Sequence, residues 1–400
     1  MSRSIVIHGH FYQPPRDDPR TGIIPAELNA APDHDWNERI ERECYAPVAP
    51  SLTSLSFDFG PTLLDWMERH APETYAAVLA ADRASGNAVA MPYHHVILPL
   101  CPRRDKTTEV RWGIADFRRR FGREPEGMWL PETAVDHETL DVLAEEGIGF
   151  TILAPHQVER APAGGLPGWY RTAGGRRIAI FTYDGGLSHG VAFGPLVNDA
   201  GAWIERLTAA PGELVSIATD GETYGHHHKN GIATLARVVE AVDTESFASF
   251  LARRPPEEEV RLVSPSSWSC PHGVERWRAE CGCRAAPERG TQQRWRAPLR
   301  AALDWLAEEI RSAFEREARV LPTALEHQLL RMFTSCGWFF DDIAGIESVI
   351  VLRSAARAIE LAGPIGAPLE AGLLERLAEA PSNDPAVGSG RELYLQRVKV

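Results

Sequence analysis

The stretch Leu214-Val215-Ser216-Ile217-Ala218-Thr219, followed at once by Asp220-Gly221-Glu222-Thr223-Tyr224-Gly225, decides how the rest of the chain is read. An apolar run of six residues suits a strand buried on both faces, and its abrupt end in two acids, a glycine and a tyrosine suits a strand emptying into a chemical site. The same transition recurs along the chain. Ser4–Ile7 leads to His8 and His10, Ala88–Met91 to Tyr93, His94 and His95, and Gly127–Leu130 to Pro131 and Glu132. Gly149–Leu153 leads to His156, Arg177–Thr182 to Tyr183 and Asp184, and Val260–Val263 to Ser266, Trp268, Cys270 and His272. Seven strands are therefore expected. They are separated by helical patterns over Pro61–Ala81, Thr107–Phe121, His137–Glu146, Asp199–Ala209 and Ile232–Val242, the alternation of an α/β fold. In a parallel barrel all the C-terminal strand ends meet on one face, where such folds carry their chemistry.

Beyond Pro298 the strand signal stops. Leu299–Ala318, Ala324–Thr334, Ile343–Ala362 and Leu369–Ala380 read as amphipathic helices, so a β/α barrel over residues 1–295 and a helical region over residues 296–400 are expected. Forty-two Lys and Arg against 55 Asp and Glu give a net charge of −13 over 400 residues, which repels phosphate backbones and argues against nucleic acid as a partner. No apolar stretch approaches the ~18 residues of a membrane span. The N-terminal apolar run is too short for a secretory signal, and six cysteines do not make a disulfide framework, so a cytoplasmic protein is expected.

Two carboxylates stand out, Glu132 in Gly-Met-Trp-Leu-Pro-Glu and Asp220 in Ala-Thr-Asp-Gly-Glu-Thr-Tyr-Gly. A carboxylate pair across a cleft is what glycoside hydrolysis needs, one member attacking or stabilising the anomeric carbon and the other protonating the leaving oxygen. Trp129 and Trp268 offer flat faces for sugar rings. The plainer reading makes both acids helix caps. His8 and His10 suit sugar contacts, and they also suit metal ligation with a distant Asp and His. His226-His227-His228 suits a solvated loop from which His226 reaches the site, and Asp341-Asp342 suits a helix N-terminus. Cys270-x-His272 and Cys281-x-Cys283 put four soft ligands within fourteen residues. Zinc cysteines are usually separated by two to four residues, so buried free thiols packing a loop are the expectation there.

The motifs together resemble glycoside hydrolase family 57, in the branch with a C-terminal region of unknown function. His8-Gly9-His10-Phe11-Tyr12-Gln13-Pro14 resembles the first family motif with two residues inserted, and Tyr93-His94-His95-Val96-Ile97-Leu98-Pro99-Leu100 the second. Trp129-Leu130-Pro131-Glu132 resembles the motif of the nucleophile, and Asp220-Gly221-Glu222-Thr223-Tyr224-Gly225 that of the general acid/base. Ser267–Trp277, Cys281-Gly282-Cys283 and Thr334–Asp342 carry the branch-level likeness. The resemblance implies an incomplete seven-stranded (β/α) barrel with a helical C-terminal region. It implies a retaining glycoside hydrolase or transglycosylase acting on α-glucans, of amylase, 4-α-glucanotransferase or branching type. Glu132 and Asp220 would be catalytic, and His8, His10, His95, Trp129, Asp184, Glu222, His226 and Trp268 would bind substrate. No metal or organic cofactor is needed for that chemistry. A metal-dependent carbohydrate deacetylase and a non-catalytic glucan-binding protein are the alternatives.

Overall fold

A computed structural model describes residues 3–399. Among the described residues six strands form, all before residue 221: β1 (Ser4–Phe11), β2 (Ser56–Phe59), β3 (Phe150–Leu153), β4 (Gly168–Arg171), β5 (Arg177–Thr182) and β6 (Leu214–Asp220). One sheet has the order β2-β1-β6, all parallel, and the other β3-β5-β4, with β4 antiparallel to β5. Single parallel bridges continue the series: Phe57 to Ala88, Ala90 to Met128, and Gly127 to Phe150.

The strands differ at three places from those that the apolar runs suggest. Val260–Val263 is not a strand; Leu262 makes a lone antiparallel bridge to Val158, and Arg261 and Val263 are exposed, so the run lies half out of the core. The strands that the runs miss are β2, where Ser56 and Asp58 interrupt the apolar pattern although all four residues are buried, and the short antiparallel β4, whose glycine and arginine leave no apolar run. The Ala88–Met91 and Gly127–Leu130 runs pair through isolated bridges only. Among the helices, the expected Pro61–Ala81 is two, Pro61–His70 and Pro72–Ser85, because Pro72 cannot continue the first and starts the second at its first turn.

Both sheets share one core. Val6 of β1, Phe150 and Ile152 of β3, Ala179 and Phe181 of β5, and Leu214 and Ala218 of β6 pack with Val89, Met91 and Trp129. Phe247 and Phe250, from helix Phe247–Arg253, complete this cluster. Alternate residues of each strand point the same way, so contributions at i and i+2 from several strands mean that the strands curve around a common interior.

Backbone contacts divide the chain into two compact units. The first holds the N-terminal residues through Gln13 with Ala26–Tyr93 and Pro102–Trp268; the second holds Pro14–Pro25, His94–Cys101 and the chain from Ser269 on. In the second, helix Arg296–Arg316 packs on Leu369–Leu377, and Thr323–Arg331 on Ile346–Leu361. Among the described residues no helix is long and apolar enough to cross a membrane.

Helix Arg103–Phe121 lies so close to the Met91–Pro92 backbone that a Cβ on Gly113 would stand 1.9 Å from the Met91 carbonyl oxygen. Backbone cannot yield as a side-chain tip can. Gly113→Ala should therefore cost about 3 kcal/mol in urea unfolding, the upper end for overpacking, whereas Gly174→Ala, with its nearest neighbour at 3.6 Å, should be close to neutral.

Candidate active site

Strand register builds the floor of the site. His10 of β1 pairs with Asp58 of β2 on one side and with Asp220 of β6 on the other, so three ionisable residues stand abreast on neighbouring parallel strands. Paired residues of parallel strands project to the same face, and His8, two residues before His10, shares it. Asp58, wholly buried, uses both oxygens: Oδ1 lies 3.0 Å from His8 Nε2 and Oδ2 2.8 Å from His10 Nδ1. Ser56 Oγ meets His8 Nδ1 at 3.0 Å. Behind the histidines lies Trp129, with ring centroids 4.7 Å from His8 and 5.3 Å from His10 in stacked geometry.

These contacts set the charges. Burial disfavours charge on His8 and, against its hydrogen bond to Asp58, leaves its pKa below the ordinary imidazole value. Burial opposes charge on His10 as well, but there the charge and hydrogen bond of Asp58, with Asp220 and Glu222 beyond, outweigh it and raise the pKa to about 9. His10 is thus an imidazolium at neutral pH. Asp220 is exposed at the strand end, yet ringed by enough protein that desolvation leads in raising its pKa to about 6; His10 opposes this, and Glu132 and Asp58 add to it. Glu222 is buried, accepts from Tyr45 Oη at 2.5 Å and from Tyr12 N at 3.3 Å, and is lifted to about 7 by burial and by Asp220.

Glu132 sits in a strained turn. Its φ is +58° and that of Thr133 is +47°, the left-handed region that side chains other than glycine's rarely occupy. Trp268 grips the residue twice, its N donating to Glu132 O at 3.1 Å and its Nε1 to Glu132 Oε2 at 3.0 Å. Buried Gln157 braces the other half: its Oε1 accepts from Thr133 Oγ1 and Ala154 N, and its Nε2 donates to Thr133 O and Ser266 Oγ, all within 2.8–3.1 Å. Just downstream, Asp136 caps helix His137–Glu145 and is pinned by the buried Lys106 ammonium at 2.8 Å.

The sequence-based residues therefore separate into groups. His8, His10, Glu132, Asp220 and Trp268 come together in the first unit, with Glu222 beneath them. Trp129 is there but fully buried, its ring against both histidines, so it backs them instead of offering a sugar platform. Asp184 caps helix Gly185–Ala192 by accepting from Leu187 N at 2.8 Å, which is the plainer reading of a strand-end acid. His226 pairs with Glu43 at 2.7 Å, edge-on to Trp36. His95 belongs to the second unit, buried and bound to Ser335 Oγ at 2.7 Å. Asp341 and Asp342 cap no helix; they accept from the backbone of Ala285 and Ala286 and from Ser382, and helix Ile346–Leu361 starts after Gly345. Asp58, Ser56, Gln157 and Tyr45 are the residues that sequence reasoning missed. Asp58 was findable, since Ser56-Phe57-Asp58-Phe59 alternates polar and apolar residues before the Gly60-Pro61 break.

Similarity to known proteins identifies the family. A 4-alpha-glucanotransferase of Thermococcus litoralis is 26% identical over 176 residues, 42% of this chain and 26% of its own length. An alpha-amylase of Pyrococcus horikoshii is 26% identical over 224 residues, 52% of this chain and 34% of its own length. The matched stretch thus spans only a quarter to a third of these two curated relatives. Among solved structures, an exo-type maltose-forming amylase from Pyrococcus sp. ST04 superposes with a TM-score of 0.74 at 14% identity, covering 94% of this chain and 83% of that one. A branching enzyme from Thermococcus kodakaraensis gives 0.64 at 16%, covering 94% of both. These likenesses show a common fold. Residues 292–327 and 323–400 match a domain of unknown function, DUF3536. The model that spans residues 38–266, more than half of the chain and most of the strands and site residues described above, is that of glycosyl hydrolase family 57, and the chain belongs to that family.

Proposed function

We propose that the chain is a retaining glycoside hydrolase or transglycosylase acting on α-glucans, with Glu132 as nucleophile and Asp220 as general acid/base. The observation that carries this reading is the contrast between the two acids. Glu132 is oriented by the Trp268 indole N–H at the end of its strained turn, whereas Asp220 is raised to about 6 and can hold a proton. One carboxyl fixed by an indole N–H and a second able to hold a proton, in one site, support that division of roles. The names of the relatives, amylases, 4-alpha-glucanotransferases and a branching enzyme, support an α-glucan substrate. We read the parallel series β6-β1-β2, Ala88–Ala90, Gly127–Met128, β3 and β5 as the incomplete seven-stranded barrel of the family. On this reading His10 and Trp268 face the sugar; His8, fully buried with both ring nitrogens taken by Ser56 and Asp58, backs them, and Asp58 and Glu222 hold His10 and Asp220 in their charge states. His95, Asp184 and His226 are second-rank candidates for substrate contact. Six cysteines, none in a disulfide, accord with a cytoplasmic location.

In the mechanism Asp220 gives its proton to the glycosidic oxygen as Glu132 attacks the anomeric carbon. The bond to the leaving chain breaks and a glycosyl-Glu132 ester forms. Asp220, now a carboxylate, deprotonates either water or a sugar hydroxyl, which releases the ester as a hydrolysis or a transfer product. The His10 imidazolium between Asp58 and Asp220 offsets the negative charge that Asp220 carries halfway through the cycle.

Incubation with maltoheptaose should yield both shorter and longer oligosaccharides, and Glu132→Gln should abolish this by a factor of ~10⁴ or more while still binding the sugar. Undiminished turnover in Glu132→Gln would refute the assignment. Asp220 acts only while protonated, so kcat/KM should decline as pH rises through about 6; a flat profile above that pH would exclude Asp220 as the acid. Trp268→Phe keeps an aromatic ring but removes the N–H on Glu132, and should lower kcat by about tenfold, the worth of one hydrogen bond to a charged group.

A further inference from the structure

We propose that Cys270, His272, Cys281 and Cys283 bind one structural Zn²⁺ ion in the second unit. This inference is independent of the proposed glucan chemistry. One ligand atom from each of the four residues lies within 4.8 Å of all the others. Zinc bonds of ~2.3 Å to sulfur and ~2.05 Å to nitrogen at tetrahedral angles require S···S edges of about 3.8 Å and S···N edges of about 3.6 Å. The observed separations are 3.9 Å for Cys270–Cys281 and 3.7 Å for Cys270–Cys283. His272 Nδ1 lies 3.6 Å from Cys283 Sγ and 4.0 Å from Cys270 Sγ. Disulfides would bring sulfurs to ~2.05 Å, and unrelated thiols packed in a loop have no reason to meet with a histidine at the corners of a tetrahedron.

Spacing is the objection that the sequence raises, and the backbone answers it. Gly282 has φ +87°, so the chain between Cys281 and Cys283 can reverse tightly enough for both sulfurs to face one point. The surroundings suit the charge. Three thiolates and one Zn²⁺ leave a net charge of −1, and two buried guanidiniums hold the ligand loops from behind. Arg276 donates to Ser269 O at 3.2 Å, and Arg296 to Cys283 O at 3.0 Å.

The segment also needs a staple. From Ser269 to Trp295 the only regular structure is two three-residue turns, Glu275–Trp277 and Pro287–Arg289. An irregular stretch of that length exceeds the ~12–15 residues usual inside compact domains. Four protein ligands fill a tetrahedral zinc, so the site is structural and leaves no position for a substrate.

The full chain, purified without chelator from zinc-supplemented cells, should carry about one zinc per molecule. Cobalt exchanged into it should give thiolate-to-metal charge-transfer bands and the ligand-field bands of tetrahedral Co²⁺. Cys281→Ser should lose the metal and lower Tm by the same amount as chelation of the native chain, the two effects failing to add because both remove one ion. If Cys281→Ser does not fold, the cobalt spectrum of the native chain decides. Substoichiometric zinc without cobalt–thiolate bands, additive effects of substitution and chelator, or a Cys281–Cys283 disulfide found by mass spectrometry would each overturn the proposal.

Discussion

A protonated histidine held between two aspartates is the constraint on which the site depends. Neighbouring parallel strands lie ~4.8 Å apart, so groups in register on three of them are forced into one another's fields whatever their rotamers. Asp58, His10 and Asp220 are in that register. Were all three neutral, the row would bring no electrostatic gain; with Asp58 and His10 charged, one attraction is fixed on the Asp58 side and a second is available to Asp220. Asp220 is the member whose charge is adjustable, because desolvation and the nearby Glu132 and Asp58 disfavour it while His10 favours it, a balance that comes to rest near 6. The proposed role of Asp220, to give and take a proton in one cycle, needs a balance of that kind.

The second constraint is backbone strain at Glu132 and Thr133. Each residue in a sparsely populated region costs about 1–3 kcal/mol and persists only where the surroundings over-determine it. Here they do. Thr133 N and Ala134 N close tight turns on Leu130 O and Pro131 O, and Gln157 and Trp268 hold the two peptides between them. The turn makes the chain leave the Gly127–Leu130 run sharply, which leaves the Glu132 side chain at the strand end beside Trp268. That Glu132 contributes to the shift of Asp220 is the electrostatic trace of their proximity.

Much of this was legible in the sequence, and what was not has physical reasons. Glu132 and Asp220 were legible because apolar runs that stop abruptly mark strand ends. That criterion weighs hydrophobicity, so it lost β2, whose Ser56 and Asp58 are buried only because two histidines satisfy them across the register. It also gained Val260–Val263, apolar enough for a strand but set at an edge with two of its residues exposed. Trp129 shows a different limit: sequence can say that an aromatic stands at the strand end, not which of its faces is already covered. Asp184 shows a third, since a strand-end acid followed by two glycines and a helix has a backbone amide to cap before it has a substrate to meet.

Where ladder hydrogen bonds run out, single polar side chains take over the work of fixing the backbone, and both units follow this rule. In the first, one glutamine side chain makes four hydrogen bonds across the Thr133, Ala154 and Ser266 segments, none of which is in a strand. In the second, Asp341 accepts from two successive amides at Ala285 and Ala286, Asn383 bonds the backbone of Gln292 and Asp341, and Arg276 and Arg296 converge on Phe339 O. A buried amide or carboxylate is costly unless all its hydrogen bonds are met, so each brace tolerates one loop geometry and penalises the rest. That is why irregular segments here are as determinate as the strands. It is also why their determinants, being single residues distant in sequence, cannot be read from any local pattern.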